Sequence, residues 1–200
     1  MSGSEPPDLA ELTRRPWPGP HRTTVILGGR PVETLADLPP RPGRLLFVGL
    51  NPSPVSVRAG HYHQGALGRR FWRRLEEAGI LARGTPLEGA DDALVAAGHG
   101  ITDLIKQPTP RDEATDDELT AGVGLLWQRI ALWRPAAVVF VYKRAASVAA
   151  GRPLDERWGQ IAGVALAGRP CFLMPGPYAP ASEVAAGLNL LRNLAAALPR

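Results

Sequence analysis

Apolar positions along this chain fall in short blocks that alternate between two periods. Residues 44–50 run Arg-Leu-Leu-Phe-Val-Gly-Leu, an apolar stretch closed by a turn, as expected of a strand buried on both faces. Residues 136–142 and 170–174 read the same way, the latter running into Met174-Pro175-Gly176-Pro177-Tyr178. Residues 23–27 fit a short strand, and residues 100–105 fit either a short strand or a turn. Between these blocks the period becomes helical. Phe71, Trp72, Leu75 and Ala78 share one face of a helix expected to start near Arg69. Thr115-Asp116-Asp117-Glu118 has the form of a capping box, followed by Leu119, Val123, Leu126 and Ile130 on one helix face and a stop at Arg134-Pro135. Residues 143–150 begin another helix, and residues 181–197 form a last one with Val184, Leu188, Leu191 and Leu194 inward. Strands alternating with helices predict an α/β fold with a mostly parallel sheet.

The pattern also sets the organisation. Residues 1–43 are rich in proline, carry Arg14, Arg15 and Arg22 around Trp17, and read as a solvated tail and lead-in; residues 44–200 read as one domain. No apolar run reaches the roughly 18 residues of a membrane span, and residues 1–7 lack the apolar core of a signal peptide. The single cysteine, Cys171, forms no internal disulfide, and a reducing cytoplasm is the simple expectation. Charge sharpens the picture. The net charge is +4 with a pI near 9.8, and only Lys106 and Lys143 among the 23 cationic residues are lysine. Guanidinium groups suit phosphate contact, although arginine bias also follows from GC-rich coding. Arg69, Arg70, Arg73 and Arg74 sit toward the start of their helix and Glu76 and Glu77 toward its end, the order the helix macrodipole disfavours. A phosphate partner at that end explains the order; pairs such as Arg73 with Glu77 are the alternative.

Familiar catalytic signatures are missing: no Walker loop, no G-x-G-x-x-G after a strand, no G-x-S-x-G. His61 and His63 form an H-x-H pair without an acidic or cysteine third ligand nearby in sequence, so neither a metal nor another cofactor is expected. Ser53 with either histidine lacks an orienting carboxylate at a known spacing. What remains is a polar loop after the first apolar strand, Asn51-Pro52-Ser53, facing residues 174–178 after the last. Ligands of open α/β sheets bind at such carboxyl ends. An Asn amide takes no proton at neutral pH, but its carbonyl oxygen holds a water. Cleavage of an N-glycosidic bond through an oxocarbenium-like centre needs a positioned water more than a strong base.

The motifs now become recognisable. Gly49-Leu50-Asn51-Pro52-Ser53 resembles the G-I-N-P-G motif of the uracil-DNA glycosylase superfamily, in its mismatch-specific, thymine-DNA-glycosylase-like branch. Gly60-His61-Tyr62-His63 followed by Arg70-Phe71-Trp72 is similar to that branch's glycine, histidine and aromatic loop leading into N-R-F-W. Gly100-Ile101-Thr102-Asp103-Leu104 resembles its G-V-T-x-L segment. Glu118-Leu119 with Gly122 is similar to its E-L-x-x-G helix start, Lys143 to the lysine after its central strand, and Met174-Pro175 to its M-P-S-S-S loop. The resemblance spans residues 44–198.

The resemblance implies a three-layer α/β/α sandwich around a mostly parallel sheet of four or five strands. It also implies a monomeric repair enzyme that flips a uracil, a mispaired thymine or a related damaged base from double-stranded DNA, with no cofactor, in a bacterial-type cytoplasm and nucleoid-associated through DNA. Asn51 would place the attacking water. Gly49, Leu50, Pro52, Ser53, His61, Tyr62 and Thr102 would build the base pocket, with His63 where the family stacks Phe or Tyr on the base. Arg69, Arg70, Arg74 and Lys143 would meet phosphates, and Met174, Pro175, Gly176, Pro177 and Tyr178 would enter the duplex. Three departures stand out. Ala66-Leu67-Gly68-Arg69 is one residue longer than the family's P-G-N and lacks its asparagine. His63 is ionisable, so it could stack, donate a hydrogen bond or act as an acid. The last loop lacks the family's serines and intercalating arginine, leaving Tyr178 as wedge or platform. A lesion-binding module with little catalysis and a hydrolase of free nucleosides or nucleotides are the rival readings.

Overall fold

The structure is a computed structural model describing residues 19–110, 113–176 and 178–198. It opens with a β-hairpin of β1 (Arg22–Leu27) and β2 (Arg30–Leu35). Gly28 and Gly29 make its two-residue turn with φ of +56° and +75°, the left-handed pair that matches strand twist. The order then runs β3 (Leu45–Gly49), α1 (Pro54–Ala59), α2 (Ala66–Glu77), a 3₁₀ turn (Leu87–Gly89), α3 (Ala90–Ala96), β4 (Gly100–Asp103), α4 (Asp116–Trp133), β5 (Ala137–Phe140), α5 (Lys143–Ala150), β6 (Gly159–Leu166), β7 (Arg169–Leu173) and α6 (Ala181–Ala196).

The main sheet has the order β4-β3-β5-β7-β6. β4, β3, β5 and β7 run parallel, and β6 joins β7 antiparallel at one edge. β3 shows why the fold has three layers. Leu45 and Phe47 join an apolar cluster with α2, α3 and α6, while Leu46 and Val48 join a second cluster with α4 and α5. Every residue of β3 and β5 is buried, which matches their unbroken apolar runs. This is the α/β/α sandwich that the alternation and the resemblance anticipate. Among the described residues no helix is long and apolar enough to cross a membrane.

The strand and helix cores fall close to the expected spans, with differences that have physical reasons. α2 begins at Ala66 rather than near Arg69, so the departing stretch 66–69 is its first turn. The capping box at Thr115 forms in full, with Thr115 Oγ1 accepting from the Glu118 amide and the Glu118 carboxylate accepting from the Thr115 amide. The lead-in is folded from Gly19 onward. Leu35, Ala36, Asp37 and Leu38 are buried, and Leu38 exchanges backbone hydrogen bonds with Ile101 on the free side of β4. Arg14, Arg15 and Trp17 lie outside the described residues.

One polar cluster ties this lead-in to the sandwich. The fully buried Asp37 carboxylate is ion-paired with Lys106 and lies 3.0 Å from Arg129 Nε, and Thr102 Oγ1 donates to it at 2.5 Å. Burial alone would raise its pKa; Arg129 and Lys106 outweigh that and hold it below the usual carboxylate value.

Candidate active site

At the carboxyl ends of β3, β4 and β5 a cleft of about 260 Å³ opens, with Asn51, Pro52, Ser53, Tyr62 and His63 among its walls. Its continuation past Asn51 is bounded by Leu50, Thr109, Pro110 and Arg144. Most of the walls come from the ends of β3, β4 and β5, the loops that follow them and the segment 53–68, with Leu35 added from the end of β2 and Arg144 from α5.

Asn51 is anchored through its amide nitrogen. Nδ2 donates to Thr109 Oγ1 at 2.7 Å, with longer contacts to the carbonyls of Pro52 (3.3 Å) and Gln107 (3.5 Å). That orientation leaves Oδ1 as the acceptor. Ser53 is the N-cap of α1; its Oγ accepts from the Ser56 amide and donates to Ser56 Oγ, which in turn accepts from the Gln64 amide. The hydroxyl is spent on capping, and the Ser–His pairing weighed from sequence does not assemble.

His63 sits at φ +53°, a left-handed backbone conformation uncommon outside glycine. α2 presses against it there: a Cβ on Gly68 would lie 1.9 Å from the His63 carbonyl oxygen, so only glycine fits. The ring packs on Phe71 with centroids 4.5 Å apart and faces Tyr142 at 6.2 Å. Nε2 is enclosed without a hydrogen-bond partner, and burial pushes the ring's pKa down to about 4. The ring is therefore neutral at pH 7. The acid role weighed from sequence would need the imidazolium, which this burial opposes; stacking and a single hydrogen bond remain open to it.

Asp103 is the residue sequence reasoning passed over. It ends β4, opposite Gly49 in the register, and its carboxyl lines the cleft while 1% exposed. A Cβ at Gly49 would lie 2.1 Å from Asp103 Oδ1, so the glycine makes room for the carboxyl. Oδ2 is buried without a hydrogen-bond partner. Burial pushes this group up to about 7, with Lys106, Asp37 and Arg129 as smaller influences of mixed sign. Tyr142, also unanticipated, lines both parts of the cleft, and burial raises its phenol to about 12, keeping it a neutral donor. The register of neighbouring strands was the signal that could have found Asp103; nothing local marks it.

Other anticipated pocket residues are placed elsewhere. Thr102 points to the opposite side of β4, into the Asp37 cluster. His61 turns away from the cleft, its Nδ1 2.9 Å from Asp91 Oδ1, so this histidine does have an acidic neighbour, brought from 30 residues away. Gly49 is covered by Asp103, and Leu50 borders only the continuation of the cleft.

Beside the cleft, Arg74 clamps the loop after β7. Its Nη1 donates to the Pro175 carbonyl at 2.5 Å and its Nη2 to the Gly176 carbonyl at 3.0 Å. Both donor groups therefore serve the fold, not the phosphate contact weighed from sequence. α6 closes on the same loop: a Cβ at Gly187 would meet Pro175 Cγ at 2.3 Å. Met174 and Pro175 are buried supports, whereas Tyr178 is 79% exposed with the Arg70 guanidinium 5.5 Å above its ring. Arg69 and Lys143 are exposed, Lys143 as the first residue of α5; Pro177 lies outside the described residues. The family model of the uracil DNA glycosylase superfamily matches residues 36–188 of the chain.

Proposed function

Since this chain belongs to the uracil DNA glycosylase superfamily, whose members excise bases from DNA by hydrolysing the N-glycosidic bond, we propose that it is a monofunctional glycosylase for uracil, for thymine mispaired with guanine, or for a related damaged base flipped out of the duplex. The observation that carries this reading is Asn51, seated at the carboxyl end of β3 with Nδ2 tied to Thr109 and Oδ1 left to accept. In the proposed reaction a water donates a hydrogen bond to Oδ1 and lies beside the sugar carbon. The C1′–N bond breaks with its electron pair going to the base, the water oxygen bonds to C1′, and the water's proton ends on the departing base. Asn51 orients and takes no proton.

The flipped base would lie against the neutral His63 ring. Asp103 supports a choice of base edge. A protonated carboxyl offers an O–H donor beside a carbonyl acceptor, the complement of the N–H and C=O of a lactam edge such as that of uracil, thymine or hypoxanthine. The ionised form only accepts and repels the lactam carbonyl. Arg69, Arg70 and Lys143 would meet phosphates of double-stranded DNA as a monomer, and Tyr178 would fill the vacated stack.

Single-turnover base release tests this on duplexes holding uracil, thymine or hypoxanthine opposite guanine or thymine, and on uracil in single strands, with Asn51→Ala in parallel. Release that Asn51→Ala abolishes is expected and names the base. Release at the same rate in Asn51→Ala overturns the role of Asn51. Tight mismatch binding without release overturns catalysis in favour of a lesion-binding module, and release from free nucleosides alone assigns a nucleoside hydrolase.

A further inference from the structure

On the far side of residues 60–63 from the cleft, three distant segments bring four metal-binding side chains together. We propose that His21, His61, Asp91 and Asp92 form a closed divalent-metal site, of zinc type, that clamps the chain entering β1 to the loop 60–63 and to α3. One ligand atom from each of the four lies within 4.8 Å of the others. His21 Nε2 is 2.7 Å from Asp92 Oδ1, and His61 Nδ1 is 2.9 Å from Asp91 Oδ1. Two ligands of a tetrahedral zinc with bonds of about 2.0–2.1 Å stand about 3.3 Å apart. Each of these two pairs therefore has to open by about half an ångström, and the other ligand pairings, within 4.8 Å of one another, to draw together around the ion.

The surroundings support a prepared site. The four side chains are between 0% and 23% exposed, so the cluster is sheltered yet reachable. Both carboxylates are already oriented by backbone donors: Tyr62 N to Asp91 Oδ2, Asp92 N to Asp91 Oδ1 and Gly19 N to Asp92 Oδ1. Such outer contacts hold metal ligands in place. Gly19 lies over the cluster with no side chain, and a Cβ there would fall 2.7 Å from His61 Cε1 and 2.9 Å from His21 Nε2. As metal ligands the two imidazoles are neutral and the two adjacent aspartates carry two negative charges, which a divalent cation cancels in full. Imidazole nitrogen and carboxylate oxygen suit zinc, and four protein ligands make a structural rather than a catalytic centre. The site is independent of base release, and its readout is metal itself.

The test uses the untagged full chain, stripped with a chelator and titrated with Zn²⁺ by calorimetry, with metal content and Tm followed. One zinc per chain and a Tm raised by several degrees are expected. Co²⁺ should give the intense visible absorption of a tetrahedral site. Asp92→Asn keeps an oxygen acceptor for His21 and Gly19 and should weaken Zn²⁺ by about tenfold or more. Less than stoichiometric zinc with an unchanged Tm overturns the site, as does binding that is unchanged in both Asp92→Asn and His61→Gln. Should a variant fail to fold, the wild-type stoichiometry and the Co²⁺ spectrum decide alone.

Discussion

Asp103 and His63 face one cleft with opposite proton problems. Burial favours the uncharged form of each, raising the acid to about 7 and lowering the base to about 4, so both are neutral near pH 6. If the neutral carboxyl reads a lactam edge, the rate of uracil release falls as pH rises through about 7. Asp103→Asn, which presents the same donor and acceptor at every pH, should remove that fall; single-turnover rates between pH 5.5 and 8.5 check it. His63 also bears on stability. Between pH 4 and 6.5 the folded ring binds fewer protons than the unfolded one, so its contribution is lost as pH falls through that window. His63→Phe keeps an aromatic ring against Phe71 and should lose less stability than wild type between pH 7 and pH 4.5, measured by urea midpoints; His99, also lowered to about 4, keeps its own dependence in the variant. Asn51 and His63 were legible because their motifs are contiguous in the chain. Asp103 lies inside the motif at residues 100–104, but its role depends on lying opposite Gly49 across a strand pair, which no contiguous motif shows.

At the scale of elements, legibility followed length and periodicity. The capping box of α4 and the apolar runs of β3 and β5 announce themselves. β2 did not, because Arg30, Pro31 and Glu33 leave half of it exposed, and β6 did not, because its burial is broken around Gly163 at the sheet edge. α1 and α3 span 6 and 7 residues, too short to show a helical period. The arginine order in α2 acquires a partial explanation, since Arg74 is held by two loop carbonyls and not by solvent. Removing it leaves both carbonyls without that cation. Arg74→Ala should cost about 1–3 kcal/mol by denaturant unfolding, since hydrogen bonds to charged groups are the stronger ones. It should also weaken duplex binding by loosening the loop that carries Tyr178, while Asn51 stays in place.

For the whole molecule, the sheet and its two helical layers were readable, but the role of the lead-in was not. Asp37 is one polar residue in a proline-rich stretch, and its partners Lys106 and Arg129 are distant in sequence. Replacing one member of a buried ion cluster strands the others in low dielectric. Asp37→Ala should therefore cost about 3–5 kcal/mol, enough to threaten the fold, as thermal unfolding would show. The hairpin shares that fate, because Thr34 Oγ1 donates to the Lys106 carbonyl and Lys106 Nζ to the Leu35 carbonyl.

The backbone exchange between Leu38 and Ile101 reaches beyond stability. β4 is the outermost parallel strand; its outer side is covered where Leu38 pairs with Ile101, and just before the strand Arg41 N donates to the Gly98 carbonyl. A chain shortened to begin at Arg44 would keep every recognisable motif yet leave the Ile101 amide and the Ile101 and Gly98 carbonyls without these partners at the sheet edge. Bare strand edges template pairing between molecules. Such a shortened chain should come out of expression as soluble aggregate or inclusion bodies, whereas one begun at Gly19 should elute as a single species in size-exclusion chromatography. The proline-rich lead-in thus does two jobs at once: it covers part of the sheet edge through Leu38 and Arg41, and it supplies Asp37 to the buried ion cluster.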